Sequence, residues 1–324
     1  MDARKAGQSW RLTRPPLAGW KAGGALRRMD HKQFLASMDL RLKMALTDRS
    51  DEPGLRHLAG HAAAIALCGL WIALGWPLWW VLIPVQGVLI VFLFTLEHEA
   101  THKTPFAKEW LNEAVGHACG FLILLPFQWF RYFHLAHHRW TNLAGLDPEL
   151  EVAKPTTWGA FALHVSGLPY WHAQGRLFVQ MVKGEVSAPY LPESALPRMT
   201  REAGVMAVGY GLVAFSLVIN PVLFWVWLLP VICGQPALRL YLLAEHGDCP
   251  QVENMFHNTR TTFTNAVVRF LAWNMPYHVE HHVFPQVPFH KLPTLHEEMY
   301  QHLQVTADGY TDFTREYASR LHLR

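Results

Sequence analysis

Charge is scarce in this chain. Asp, Glu, Lys and Arg make up 16% of its 324 residues, against roughly 25% in typical soluble domains. The shortage is concentrated in two places. No charged residue occurs in the 40 residues from His57 to Leu96, and none in the 36 residues from Ala203 to Leu238. A bilayer core is crossed by ~20 apolar residues of helix, so each run is long enough for two crossings. Gly75, Trp76 and Pro77 break the first run, and Asn220 and Pro221 break the second; both are turn signals. The pattern predicts two helical hairpins, 58–75 with 78–98 and 204–219 with 222–243, and argues against a soluble core.

Cysteine is nearly as scarce. Cys68, Cys119, Cys233 and Cys249 form no CxxC pair, so neither a disulfide framework nor a thiolate zinc site is suggested. The first 50 residues contain no apolar core of a cleavable signal peptide, and no repeat of fixed period or low-complexity tract is present. The net charge of +3 is too small for a nucleic-acid surface and suits basic residues flanking a membrane.

The placement of the 28 Lys and Arg residues gives an orientation. Twelve precede residue 57, nine lie between 103 and 201, seven follow 238, and the two turns carry none. Basic residues stay on the cytoplasmic side. Both termini and the central loop are therefore expected there. Residues 1–56 are expected to form a cytosolic amino-terminal region, 57–300 the membrane domain, and 301–324 a cytosolic tail. Within the first region, residues 1–28 are basic and rich in Gly and Pro, a composition that predicts little order. Asp30 and Gln33 have the spacing of a capping box. The helix they open, to about Ala45, places Phe34, Leu35, Met38 and Leu42 on one side. Such a helix lies on the membrane surface or packs on the cytosolic domain. The apolar stretch from His117 to Phe130 is too short to span and reads as buried or re-entrant. Residues 152–200 carry Trp158, Phe161, Tyr170, Trp171 and Phe178 and read as interfacial.

Histidine, by contrast, is plentiful, with 20 in the chain. Eight fall into three clusters: His98 and His102 in HEATH, His134, His137 and His138 in HLAHH, and His278, His281 and His282 in HVEHH. Residues three or four apart share one helix face, so each cluster aims its imidazoles one way. Neutral imidazole binds iron, zinc, copper or nickel. Eight such ligands exceed the four of a tetrahedral zinc site and suit two ions close together. All three clusters fall on the cytoplasmic side of the predicted topology. Ligation by histidine without thiolate leaves iron, zinc and manganese open. A pair of irons can activate dioxygen and remove hydrogen from an unactivated C–H bond, chemistry that no side chain performs alone. Glu99, Asp147, Glu149, Glu245 and Glu280 are candidates to offset the metal charge from behind the ligands.

The segments HEATH, HLAHHRWTN and NMPYHVEHHVFP, in this order around two apolar hairpins, resemble those of the integral-membrane fatty-acid desaturase and hydroxylase superfamily. The resemblance covers about residues 58–300. It implies an all-α membrane protein with four transmembrane helices, arranged as two hairpins, and a cytosolic helical cap that carries a di-iron site. It also implies a fatty acid or fatty acyl lipid substrate and O2 as co-substrate. The eight clustered histidines match the three family boxes one by one. The family often adds a histidine near the end of the last span, where His246 stands in AEHG; Gly247 beside it is a candidate helix C-cap. Some members use an asparagine, and Asn274, four residues before His278, is either that ligand or a helix cap. His117, His164, His172, His257, His290 and His296 match no box and are expected to be structural or exposed.

Departures from relatives narrow the reading. The first box has three intervening residues, and the third begins with His278 rather than glutamine. No HPGG haem motif of a fused cytochrome b5 and no GxGxxG dinucleotide site is present, so electrons must come from a separate donor, such as a ferredoxin, rubredoxin or cytochrome b5-like protein with its reductase. Desaturation of a fatty acyl chain is the leading expectation. Hydroxylation of a fatty acid or alkane, and decarboxylation to a 1-alkene, share the same metal site; HEATHKT is also similar to the first box of membrane alkane hydroxylases. A metal transporter is the reading from another class. Transporters place polar ligands near the bilayer midplane, whereas these histidines lie at or beyond the span ends. A membrane zinc hydrolase is a further alternative.

Overall fold

A computed structural model describes residues 29–323; the basic segment 1–28 lies outside it. The chain is mostly helical. Among the described residues, the one sheet is a parallel pair of two-residue strands, Thr261–Thr262 and Thr306–Ala307. Four helices are long and apolar enough to cross a membrane: Asp51–Ala73, Trp79–Thr101, Glu193–Ile219 and Phe224–His246, here the first to fourth spans. The protein is an integral membrane protein.

The breaks fall where the turn residues are. Gly75 and Leu78 take left-handed backbone angles, φ 62° and 60°, and the Trp71 indole donates to the Pro77 carbonyl across the turn. Asn220 leaves the helix in an extended conformation and its side chain accepts from the Val222 N–H. The outer limits differ more. The third span begins at Glu193, about three turns before the expected residue 204. It keeps Arg198, Arg201 and Glu202 within the helix, because a helix leaving a bilayer has no reason to stop at its first charge. Glu202 is buried, and its carboxylate accepts from the N–H groups of Phe127 and Gln128, both at 2.9 Å, and from His117 Nδ1 at 2.6 Å. It thereby caps the helix Phe127–Trp140, whose N-terminal dipole favours an anion.

The apolar stretch read as buried or re-entrant, His117 to Phe130, covers the end of one helix, a bend and the start of this one. Glu109–Ile123 and Phe127–Trp140 meet at 100°, broken at Leu124, which has φ 57°, and at Pro126.

The second and fourth spans cross where both backbones carry glycine. A Cβ on Gly87 would stand 2.1 Å from the Pro230 carbonyl oxygen, and one on Gly234 would stand 2.4 Å from that of Gly87. Small residues permit this approach in a membrane, where packing rather than water drives helix association. Two polar bonds secure the neighbourhood. Gln86 donates to the Val226 carbonyl at 3.1 Å, and His61 on the first span bonds the Leu89 carbonyl at 2.8 Å. The crossing fixes the relative positions of the two span ends, which carry His98 and His246.

The amino-terminal capping box forms as expected, with both Asp30–Gln33 bonds present. The helix does not continue to Ala45. Met38 adopts an extended conformation, and Asp39 caps a second helix, Leu40–Thr47, since an aspartate side chain can serve the next free N–H groups better than the helix interior. Phe34 is buried against Phe256 and His302, with ring centroids at 5.9 and 5.1 Å. The helix packs on the protein body, the second of the two expected placements.

Candidate metal centre

Three helices and the end of a fourth bring the boxes together. His98 lies in the last turn of the second span, and His102 directly follows it. His134, His137 and His138 lie on Phe127–Trp140, His246 ends the fourth span, and His278, His281 and His282 lie on the short helix His278–Val283. The rings sort into two groups. Ligand nitrogens of His98, His102, His134, His138 and His281 all lie within 4.8 Å of one another, as do those of His137, His246 and His282. His278 completes the second group, with its Nε2 3.1 Å from Nε2 of both His246 and His282. All nine histidines singled out in the sequence therefore converge. His117, His164, His172, His257, His290 and His296 join neither group, and Asn274 points its amide at the Phe289 carbonyl, 3.0 Å away.

What surrounds the rings decides which nitrogen faces inward. His246 Nδ1 lies 3.1 Å from the Asn258 carbonyl, which only accepts, so this nitrogen carries the proton. His137 Nδ1 lies 3.0 Å from the Asp147 carboxylate. His282 Nδ1 lies 3.1 Å from the Thr141 hydroxyl, whose proton is directed to the His137 carbonyl at 2.9 Å. In each ring the outer nitrogen is the donor, which leaves Nε2 as a bare lone pair. Nε2 atoms also meet at hydrogen-bond distance within the groups: 3.2 Å between His137 and His246, 3.1 Å between His281 and His138, and 2.8 Å between His102 and His134.

Burial pushes His102 and His281 down to about 3, helped by neighbouring imidazoles, and depresses His278 and His282 in the same way. His137 departs from them: burial lowers it, but Glu149 and Asp147 beside it raise it above the ordinary imidazole value. Converging lone pairs repel unless a cation lies among them. Nine nitrogen donors in groups of five and four fit two cations of the iron or zinc type.

The carboxylates expected behind the ligands divide. Asp147 bonds His137 directly, and Glu149 stands 3.9 Å from the same ring. Glu99 is 3.4 Å from His281 Nδ1, and Glu245 is 3.5 Å from His278 Nδ1. Glu280 instead faces the Thr261 hydroxyl and His296, away from the rings. Thr141, Asn258 and Glu202 were not singled out in the sequence. The Asn258 amide donates to the Thr141 and Val252 carbonyls, both at 2.8 Å, and its own carbonyl orients His246. A Thr–Asn pair separated by 117 positions leaves no local signal. Thr141→Val, which keeps the shape and removes the hydroxyl, should lower metal affinity about 10–100-fold by freeing His282. Competition with a chelator measures this, and Thr141→Ser should restore it.

The profile of the family described as fatty acid desaturase matches residues 74–314. The chain is 23% identical over 252 residues to an sn-1 oleoyl-lipid 12-desaturase of Picosynechococcus sp., covering 70% of this chain and 71% of the relative. It is 22% identical over 307 residues to an sn-1 oleoyl-lipid 12-desaturase of Anabaena variabilis, covering 82% and 84%. It is also 22% identical over 244 residues to an sn-1 acyl-lipid omega-3 desaturase (ferredoxin) of Nostoc sp., covering 67% and 65%.

Proposed function

Because this chain belongs to the fatty acid desaturase family, and is thus an oxidoreductase of fatty acid desaturation, we propose that it introduces a double bond into a fatty acyl lipid at a di-iron centre. The observation that carries this reading is the convergence of nine imidazoles in two adjoining groups. In it His98, His102, His134, His138 and His281 hold one iron, and His137, His246, His278 and His282 hold the other. The iron pair would supply the oxygen-dependent removal of two hydrogens from adjacent, unactivated carbons.

The chain's own residues hold and shield that site. Asp147, Thr141 and the Asn258 carbonyl fix the orientation of His137, His282 and His246 and keep the Nε2 of each of these three free of a proton. Glu99, Asp147 and Glu245 offset positive charge from behind the rings. The buried groups around the cluster exclude water, and the apolar spans receive the acyl tail, each buried CH2 contributing ~0.8 kcal/mol. The two hydrogens removed supply half of the electrons that take O2 to water, so a separate donor supplies the rest. The name of the Nostoc relative includes ferredoxin, which supports a ferredoxin here; a rubredoxin or cytochrome b5-like protein would serve the same chemistry.

In this reading the spans form two hairpins, residues 57–300 are the catalytic membrane unit under a cytosolic cap, and both termini are cytoplasmic. The placement of the basic residues supports that orientation.

Expression in a host of known lipid composition, followed by mass spectrometry of the acyl chains, tests the proposal. The expected product is an acyl lipid two mass units lighter, formed only in air, by protein holding about two irons per chain. A hydroxylated chain or a terminal alkene as the main product would replace desaturation with one of the related outcomes. Activity retained with zinc under argon would remove the di-iron reading altogether.

A further inference from the structure

Polar atoms without partners gather where the fourth span meets the two helices Trp158–Val165 and Leu168–Lys183. Gln235 is fully buried, yet neither atom of its amide has a hydrogen-bond partner. One turn further along the same face, the guanidinium of Arg239 forms no salt bridge or hydrogen bond with any described residue. It lies over the Tyr170 ring, 4.3 Å from the centroid, with its Nε buried and unpartnered. Tyr170 is in edge contact with Trp171, at 5.1 Å between ring centroids, and the Trp171 indole N–H is likewise buried without an acceptor. The turn between the two helices seats this group. Gly167, with φ 74°, packs so closely that a Cβ there would stand 2.8 Å from the Gln235 Cβ.

Buried polar groups are ordinarily hydrogen-bonded, and leaving them bare is costly. An arginine within an apolar span is also a functional group by default, with a partner to be named. The inventory identifies the kind of partner. Guanidinium and indole only donate, and the glutamine amide adds two more N–H groups against one oxygen. The complement is an oxygen acceptor such as a carboxylate or a carbonyl. Arg239 lies seven residues before His246, about 10 Å along the helix axis.

We propose that Arg239, Gln235 and Trp171 hold the carboxyl end of the acyl substrate, either the carboxylate of a free fatty acid or the ester carbonyl of an acyl lipid. The assignment rests on the acyl-substrate reading above. It fixes the head of the chain at the level of the interfacial aromatic helices and leaves the tail to run to the histidines, so the distance between the two sets which carbons react.

Binding of oleate and of methyl oleate to the purified full-length protein in detergent micelles tests this without turnover. Trp171→Phe, which keeps most of the ring and loses the N–H, should weaken both probes about fivefold or more. Arg239→Gln should weaken oleate about tenfold or more, with bound iron and melting temperature unchanged in both variants. An equal loss for methyl oleate in Arg239→Gln identifies the ester carbonyl as a sufficient ligand; a smaller loss identifies the carboxylate. Wild-type affinity of both variants for both probes would overturn the site and leave the desaturase reading standing. If wild-type protein binds neither probe, the acyl-substrate reading falls and this site falls with it. Should Arg239→Gln fail to accumulate, Trp171→Phe alone decides.

Discussion

Substituting His281 by alanine should abolish desaturation, by more than ~1000-fold, and reduce bound iron from about two to about one per chain. His282→Ala should do the same to the other group. The two residues are chain neighbours on one short helix, yet their rings enter different groups. The ring centroids of His281 and His282 are 5.9 Å apart and nearly perpendicular at 89°. The effect is large because groups that act as a unit fail as a unit. Losing His281, fully buried in a set where only His102 is partly exposed, leaves a cavity and an open coordination position. Iron analysis with membrane insertion as the control checks the result. Two irons retained in His281→Ala would refute its place in the first group.

Gly87→Leu should prevent the protein from folding, and Gly87→Ala should lower the melting temperature by about 2–4 °C. Even one methyl group meets the Pro230 carbonyl at 2.1 Å and the Gly234 nitrogen at 2.8 Å. Both are backbone atoms that no rotamer change can move. The two helices must separate, and the cost of overpacking a tight contact is typically ~1–3 kcal/mol. The displacement propagates along rigid helices to His98 on one side and His246 on the other, so Gly87→Ala should also release iron to a chelator faster than the wild type. A melting curve and release rate indistinguishable from wild type would show that the crossing tolerates separation.

The eight clustered histidines were legible in the sequence because their chemistry and their helical spacing are local, whereas His246 stood out only through the family resemblance. The four spans were legible because absence of charge is local too. Pairing across the fold was not. Gly87 and Gly234 are unremarkable within apolar runs, and each matters only because the other faces it. Glu202 read as the charge that ends a membrane segment, whereas it caps a helix 75 positions earlier in the chain. Glu280 sits between two box histidines, but a helix turns by about 100° per residue. The side chain next to His281 therefore points away from the ring cluster, toward His296. The break at Met38 was hidden because Phe34, Leu35, Met38 and Leu42 keep helical spacing across it, while Asp39 supplies a fresh cap that competes with the continuing helix.

The short helix His278–Val283 contributes to both groups of rings, and it is the part of the site that leaves the ribosome last. Until residue 282 has been synthesised and has folded back against the span ends, neither group holds its full complement of nitrogens. In the di-iron reading proposed above, iron loading would therefore follow synthesis of all four spans, and a nascent chain still threading into the bilayer would offer no complete oxygen-reactive centre to its surroundings.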